Sequence, residues 1–194
     1  MPQIAPKQSP EDAAHLAAMT DDRLMLLFRS DNSGAFSELF RRYNNPVYNF
    51  FRRRLENPSR AEELTQETFI AVLRGVERYE PRASFRTYLY GIAMRMVMAE
   101  RRKSARRESS TIVEPNRSSN PSVDAAIWVR RAMEQLDAEH RDILLLREYE
   151  QLTYDEITEL LSLPLNIVRS RLFRARTALK ALLLPLRPEM RNET

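Results

Sequence analysis

The stretch LSLPLNIVRSRLFRARTALKALL, residues 161–183, decides how the chain folds. Placed on a helix at 100° per residue, Val168, Leu172, Ala175, Leu179 and Leu182 share one stripe. Arg169, Arg176 and Lys180 lie along one flank of that stripe, and Arg171 and Arg174 lean toward the other. Asn166, Ser170, Phe173 and Thr177 fill the opposite side. The stripe implies a helix docked on a small core. The cations, with no carboxylate in the segment, imply that the rest faces something negative.

Just upstream, Thr153 and Glu156 have the spacing of a capping box and open a short helix, YDEITELL. SLP then reads as a tight turn, and Pro164 suits the first turn of the basic helix. Two helices joined by a short turn, the second basic, is the pattern of a helix-turn-helix. In that motif the first helix crosses the DNA backbone and the second enters the major groove. Arginine serves both phosphate pairing and bidentate contact with guanine. A solvated basic helix in an ordinary bundle has the same periodicity. The short turn, the capped preceding helix and the lack of compensating acids favour DNA.

Further upstream, Asp137 caps a helix over AEHRDILLLREYE, and Ser122 or Asp124 starts another that runs through Leu136. Before these, residues 108–123, ESSTIVEPNRSSNPSV, are rich in Ser, Pro and Asn and read as a linker. Sixteen extended residues span roughly 50 Å. Toward the N-terminus, Asp21 to Arg29 reads as a short helix. Gly34 to Leu55 reads as a longer one, bent or interrupted at Asn45-Pro46. Ser59 and Glu62 suggest a capping box for a helix from about Arg60 to Val76. Ser84 caps a further helix that runs to about Arg107.

The expected fold is therefore all-α, two small helical domains joined by a flexible linker, the second containing the helix-turn-helix. The expected bounds are a loose tail over 1–19, a domain over 20–107, a linker over 108–121, a domain over 122–185 and a tail over 186–194.

Composition excludes several classes of chemistry. The 194 residues include no cysteine, so disulfides, thiolate metal sites and a thiol nucleophile are out. The two histidines, His15 and His140, are far apart, and three glycines leave no phosphate-binding glycine loop. No cofactor or metal is expected. Apolar runs fall short of membrane-spanning length, so no membrane insertion is expected. The N-terminus has acidic residues and no signal-peptide pattern, which predicts a cytoplasmic protein.

Two further segments carry information. The helix SFRTYLYGIAM has an apolar face of Phe85, Leu89, Ile92 and Met96, with Tyr90, Gly91, Met94 and Met98 directed away from it. It runs on into RMVMAERRKSARR, residues 95–107, with six cations against Glu100. Aromatic and soft apolar groups beside cations suit bases taken out of a stack. The same groups would also suit packing on a neighbouring helix. The helix SRAEELTQETFIAVLRGV has one face of Leu64, Thr68 and Ala71 and another of Glu62, Gln66, Phe69 and Leu73. It docks on its own core and a partner, or lies centrally in a bundle.

These residues fit a DNA-binding regulator with an N-terminal sensing or dimerising domain, which would bind a palindromic site by itself. They also fit a helical adaptor, which would bind no nucleic acid in a salt-dependent way. A third reading comes from a resemblance. AFSELFRRY, AEELTQETFIAVLRGVERY, ASFRTYLYGIA and LLLREYEQLTYDEITELLSLPLNIVRSRLFRAR, in that order and split by a linker, resemble the extracytoplasmic-function (ECF) group of bacterial sigma factors.

The resemblance implies a non-enzymatic subunit that gives promoter recognition to core RNA polymerase. It implies that Glu63, Leu64, Gln66 and Glu67 contact the polymerase. Tyr88, Tyr90, Arg95, Arg101, Arg102 and Lys103 would handle minus-10 DNA, and Asn166, Arg169, Ser170, Phe173 and Arg174 the minus-35 duplex. It also implies an anti-sigma factor as a partner. Tyr88 stands where the family usually has tryptophan, and Gly91 where a basic residue is common. Met94-Arg95 replaces a basic–asparagine pair, Thr158 an alanine, and Ser162 and Asn166 occupy positions often held by glycine.

Overall fold

Thr20, Asn32 and Asn57 each turn a side-chain oxygen onto the backbone N–H three residues on, and each opens a helix. The computed structural model describes residues 10–81, 83–108 and 125–184. In the first of two compact units, Met1–Thr111, the order is α1 (Pro10–Ala17), α2 (Asp21–Arg29), α3 (Ser33–Arg52), α4 (Pro58–Gly75) and α5 (Phe85–Glu108). A 3-10 turn, Val76–Arg78, follows α4. All regular structure among the described residues is helical.

Three expectations change here. The tail expected over 1–19 contains α1, which starts at a proline and buries Leu16. The Arg42 guanidinium closes its C-terminal end, donating to the carbonyls of Leu16 (3.3 Å), Ala17 (2.7 Å) and Met19 (2.9 Å). The positive charge complements the end of the helix dipole. Secondly, α3 passes through Pro46 as continuous helix. Proline removes one intrahelical bond, but Val47, Phe50 and Phe51 just beyond it are fully buried and hold the segment in place. Thirdly, α4 starts at Pro58 under an Asn57 cap, and not at the expected Ser59–Glu62 box. Proline in the first turn sacrifices no donor the helix needs.

The core of this unit is built from Leu24, Met25, Leu39, Phe50, Phe51, Leu64, Phe85 and Leu89, none more than 1% exposed. Glu38, at 9% exposure, is the sheltered charge on α3. Bonds from Arg41, then from Arg42, hold its carboxyl at about 2 against the opposing effect of burial.

The second unit, Ile112–Thr194, holds α6 (Ala125–Gln135), α7 (Ala138–Leu144), α8 (Tyr154–Leu161) and α9 (Leu165–Leu183). A π-helical turn, Leu145–Tyr149, extends α7. Asp137 caps α7 by accepting from the His140 N–H at 2.8 Å. Arg141 closes α6 much as Arg42 closes α1, donating to the carbonyls of Met133, Glu134 and Leu136. Both halves of the Thr153–Glu156 capping box form, at 3.1 and 2.8 Å. Ser162 then takes the left-handed conformation, φ 53° and ψ 44°, and turns the chain into α9. Val168, Leu172 and Ala175 are buried with Ile143, Leu146, Leu152 and Ile157. Leu179 and Leu182, further along the same stripe, are partly exposed. The linker expected over 108–121 and the tail over 186–194 fall outside the described residues, apart from Glu108, the last residue of α5.

Candidate functional site

Docking the apolar stripe of α9 leaves a continuous outer face. Asn166, Arg169, Ser170, Phe173 and Arg174, at helical spacings of three and four, all lie on it. Phe173 is 72% exposed, the most exposed large apolar side chain among the described residues. Arg174 donates to the Ser170 hydroxyl at 2.8 Å, which orients its guanidinium along the face. The cations of α9 are not all free of acids, as the segment alone suggests. Arg176 pairs with Glu148 at 2.7 Å and Arg171 with Glu139 at 3.1 Å, both acids lying upstream of the helix-turn-helix turn. Arg169, Arg174 and Lys180 have no carboxylate partner among the described residues.

In the first unit, α4 turns Glu63, Gln66 and Glu67 outward. Ile70 and Leu73 continue that exposed side, at 43% and 41% exposure, beside Phe40 at 40%. Leu64 does not belong to it. It is 1% exposed, packed in the core, and so cannot touch a partner. Phe69, from the other of the two faces read in the sequence, is also buried, its ring 4.8 Å from that of Phe40.

Glu63 and Glu67 converge on one cation. Arg60 reaches Glu63 at 2.8 Å, Glu67 at 3.1 Å and Glu100 of α5 at 2.7 Å. Exposed pairs of this kind contribute about 0–1 kcal/mol, so Glu63 and Glu67 can exchange Arg60 for an external cation at little cost. Glu100 is more sheltered. Its bond from Arg60, aided by Lys103, holds its carboxyl at about 2.

The α5 candidates divide. Arg95, Arg102 and Lys103 are exposed and Arg101 is half-buried. Lys103 is tied to Glu100 at 2.9 Å. Tyr90 is only 3% exposed and its ring lies 5.3 Å from Phe50, so it belongs to the core and is unavailable to a base. Met94, expected to project outward with it, is buried too. The helix is apolar on more than one side because α2, α3 and α4 all pack against it. Tyr88 is half-buried with its ring 5.3 Å from that of Tyr79. Burial pushes its hydroxyl pKa up, and the charge of Arg95 opposes that. An open groove of about 620 Å³ runs beside it, lined by Glu67, Arg74, Gly75, Arg78 and Met96 among others.

Two residues of this region do not stand out in the sequence. Asp22 and Arg29, both on α2, bind Tyr79. The Tyr79 hydroxyl donates to Asp22 Oδ1 at 3.1 Å, and Arg29 donates to the Tyr79 carbonyl at 3.0 Å. Spacing gives no signal for contacts that span 50 and 57 residues.

Among the described residues no cluster of His, Asp or Glu is arranged to hold a metal, and no helix is long and apolar enough to cross a membrane.

The regular structure of the described residues is helical throughout and forms two units, the second presenting a basic, aromatic face from a helix-turn-helix, a motif of DNA-binding proteins. Sigma-70 region 2 matches residues 39–107, and sigma-70 region 4 matches residues 126–179. The ECF RNA polymerase sigma factor SigE of Mycolicibacterium smegmatis is 30% identical over 187 residues, covering 91% of this chain and 69% of that protein. The RNA polymerase sigma factor YlaC of Bacillus subtilis is 29% identical, covering 81% and 96%. CnrH, solved in complex with the cytosolic domain of CnrY, shares the fold with a TM-score of 0.66 at 23% identity, covering 85% of this chain and 97% of that one. The sigma factor RpoE of Bartonella quintana, solved with the anti-sigma factor NepR, has a TM-score of 0.64 at 19% identity, covering 77% and 96%. The chain belongs to the ECF family of RNA polymerase sigma factors.

Proposed function

We propose that this chain binds core RNA polymerase and directs transcription initiation by recognising both elements of a promoter. The observation that carries the reading is the outer face of α9, where exposed Asn166, Arg169, Phe173 and Arg174 flank the half-buried Ser170. An exposed arginine can take guanine O6 and N7, and an exposed phenylalanine can meet a thymine methyl. This face enters the major groove of the minus-35 duplex, and the second domain, 122–185, is its carrier.

The first domain, 20–107, takes the polymerase and the minus-10 DNA. Glu63, Gln66 and Glu67 meet basic groups of the polymerase, with the apolar side chains of Phe40, Ile70 and Leu73 beside them. Leu64 contributes by anchoring α4 in the core. Tyr88, Arg95, Arg101, Arg102 and Lys103 engage the minus-10 strand, while Tyr90 supports them from beneath. The chain's role is recognition, in the cytoplasm, and the polymerase makes the phosphodiester bond. An anti-sigma factor is the expected inhibitor, since a sigma factor of the same fold was solved with one.

The test is transcription in vitro with purified core polymerase on a promoter library, with and without this chain. Initiation at a subset of promoters only in its presence is expected. Tight binding of a palindromic site without polymerase, and no initiation with it, would overturn the proposal.

A further inference from the structure

Asp22 lies outside the segment matched by sigma-70 region 2 and outside every candidate contact named above. Its position is nevertheless unusual. It is the second residue of α2, and its Oδ1 accepts two bonds from the far side of the unit, from the Tyr79 hydroxyl and from the backbone N–H of Phe85. Phe85 is the first residue of α5. One carboxylate oxygen therefore faces the positive ends of two helices, its own and α5, where an anion is favoured. From the same helix, Arg29 holds the Tyr79 carbonyl. The bonds to Tyr79 come from opposite ends of α2, and Tyr79 is left 3% exposed.

Tyr79 passes this constraint on. Its ring stands edge-on to Tyr88 at 5.3 Å, and Tyr88 is in turn 6.5 Å from Phe85. Arg95 is close enough to Tyr88 for its charge to be felt at the hydroxyl. The contacts thus run from Asp22 through Tyr79 and the start of α5 to Tyr88, the first residue of the proposed minus-10 set. We infer that Asp22 is a positioning residue for minus-10 recognition, fixing the start of α5 and the Tyr79–Tyr88 pair without touching DNA. This rests on the reading of α5 as the minus-10 surface.

The experiment uses the full chain assembled with core polymerase. It measures binding of a single-stranded minus-10 oligonucleotide selected from the promoter library, and of the same oligonucleotide scrambled. The readout is the ratio of the two affinities, which a mere loss of folded protein leaves unchanged. Asp22→Ala should lower that ratio about tenfold, while co-purification with core and binding of the minus-35 duplex stay as in wild type. Asp22→Asn keeps an oxygen able to accept both bonds and should restore most of the ratio. Tyr79→Phe, which removes one bond and little volume, should give an intermediate fall, and it carries the test if Asp22→Ala does not fold.

An unchanged ratio in Asp22→Ala and Tyr79→Phe, with Arg95→Ala losing it, would overturn the inference and leave the reading of α5 intact. A ratio that Arg95→Ala also leaves intact would remove both. Equal losses in Asp22→Ala and Asp22→Asn would overturn positioning by these hydrogen bonds in favour of charge alone.

Discussion

The Tyr88 hydroxyl lies 2.5 Å from the position a β-carbon on Gly75 would take, and the next ring atom, Cζ, lies at 3.8 Å. The first distance is a clash and the second an ordinary contact. Tyr88 thus fits against α4 only because Gly75 carries no β-carbon. Gly75→Ala should destabilise the first unit by about 1–3 kcal/mol, because Tyr88 must shift against Tyr79 and Phe85. Combined with Tyr88→Phe, the same alanine should become neutral or gain up to about 1 kcal/mol over Tyr88→Phe alone. Urea midpoints for the four proteins check this, and strict additivity would show that the ring yields freely.

On α4 the prediction separates surface from core. Glu63→Lys with Glu67→Lys should abolish co-purification with core polymerase and leave helical circular dichroism unchanged. Arg60 keeps Glu100 in that variant. Leu64→Ala should instead cost about 2–5 kcal/mol of stability. Polymerase binding by a folded double mutant at the wild-type level removes this face from the interface.

For α9, Arg174→Ala should lose about 1–3 kcal/mol of preference at one base pair of the minus-35 element. Lys180→Ala should weaken binding to all sequences alike and lower the salt slope by about one. Val168→Asp should unfold the second unit, since Val168 is fully buried. Library preferences and salt titrations with core polymerase present distinguish the three. Base preferences untouched by Arg174→Ala would reduce the helix to a phosphate anchor.

The pH dependence follows from Glu38 and Glu100, both held at about 2, well below the ordinary carboxylate value of 4.5. A depressed folded-state pKa means the unfolded chain binds protons first as pH falls. The stability these groups contribute is complete above about 4.5 and is lost as pH drops from there toward 2. Glu38→Gln and Glu100→Gln should each flatten the dependence of the urea midpoint on pH between 5 and 2.5. A slope identical to wild type in both would place the acid sensitivity elsewhere.

The second unit was the more legible in sequence, and the reason is local. Thr153 with Glu156, Asp137, and the stripe of α9 are all patterns within a few residues, and each forms as its spacing implies. The first unit is decided over longer distances. Tyr90 and Leu64 sit on helices with apolar residues on several sides, and only the neighbouring helices decide which side is covered. Asn57 outcompeted Ser59 as a cap because the proline after it fits the first turn. Asp22 and Arg42 act across chain separations that no periodicity reports. Thus the outward side of α9 follows from its stripe, though not the pairing of Arg171 and Arg176 with distant acids, whereas the proposed polymerase and minus-10 sets each contained one core residue.

Ser162 is a side chain in a conformation that costs an L-residue roughly 1–2 kcal/mol relative to glycine. That strain sits at the hinge of the helix-turn-helix, away from the outer face of α9. Ser162→Gly would release part of it, offset by the greater freedom of glycine in the unfolded chain. At a left-handed position the release outweighs that offset, so the substitution gives a background on which destabilised recognition-helix variants stay folded and their base preferences can be measured.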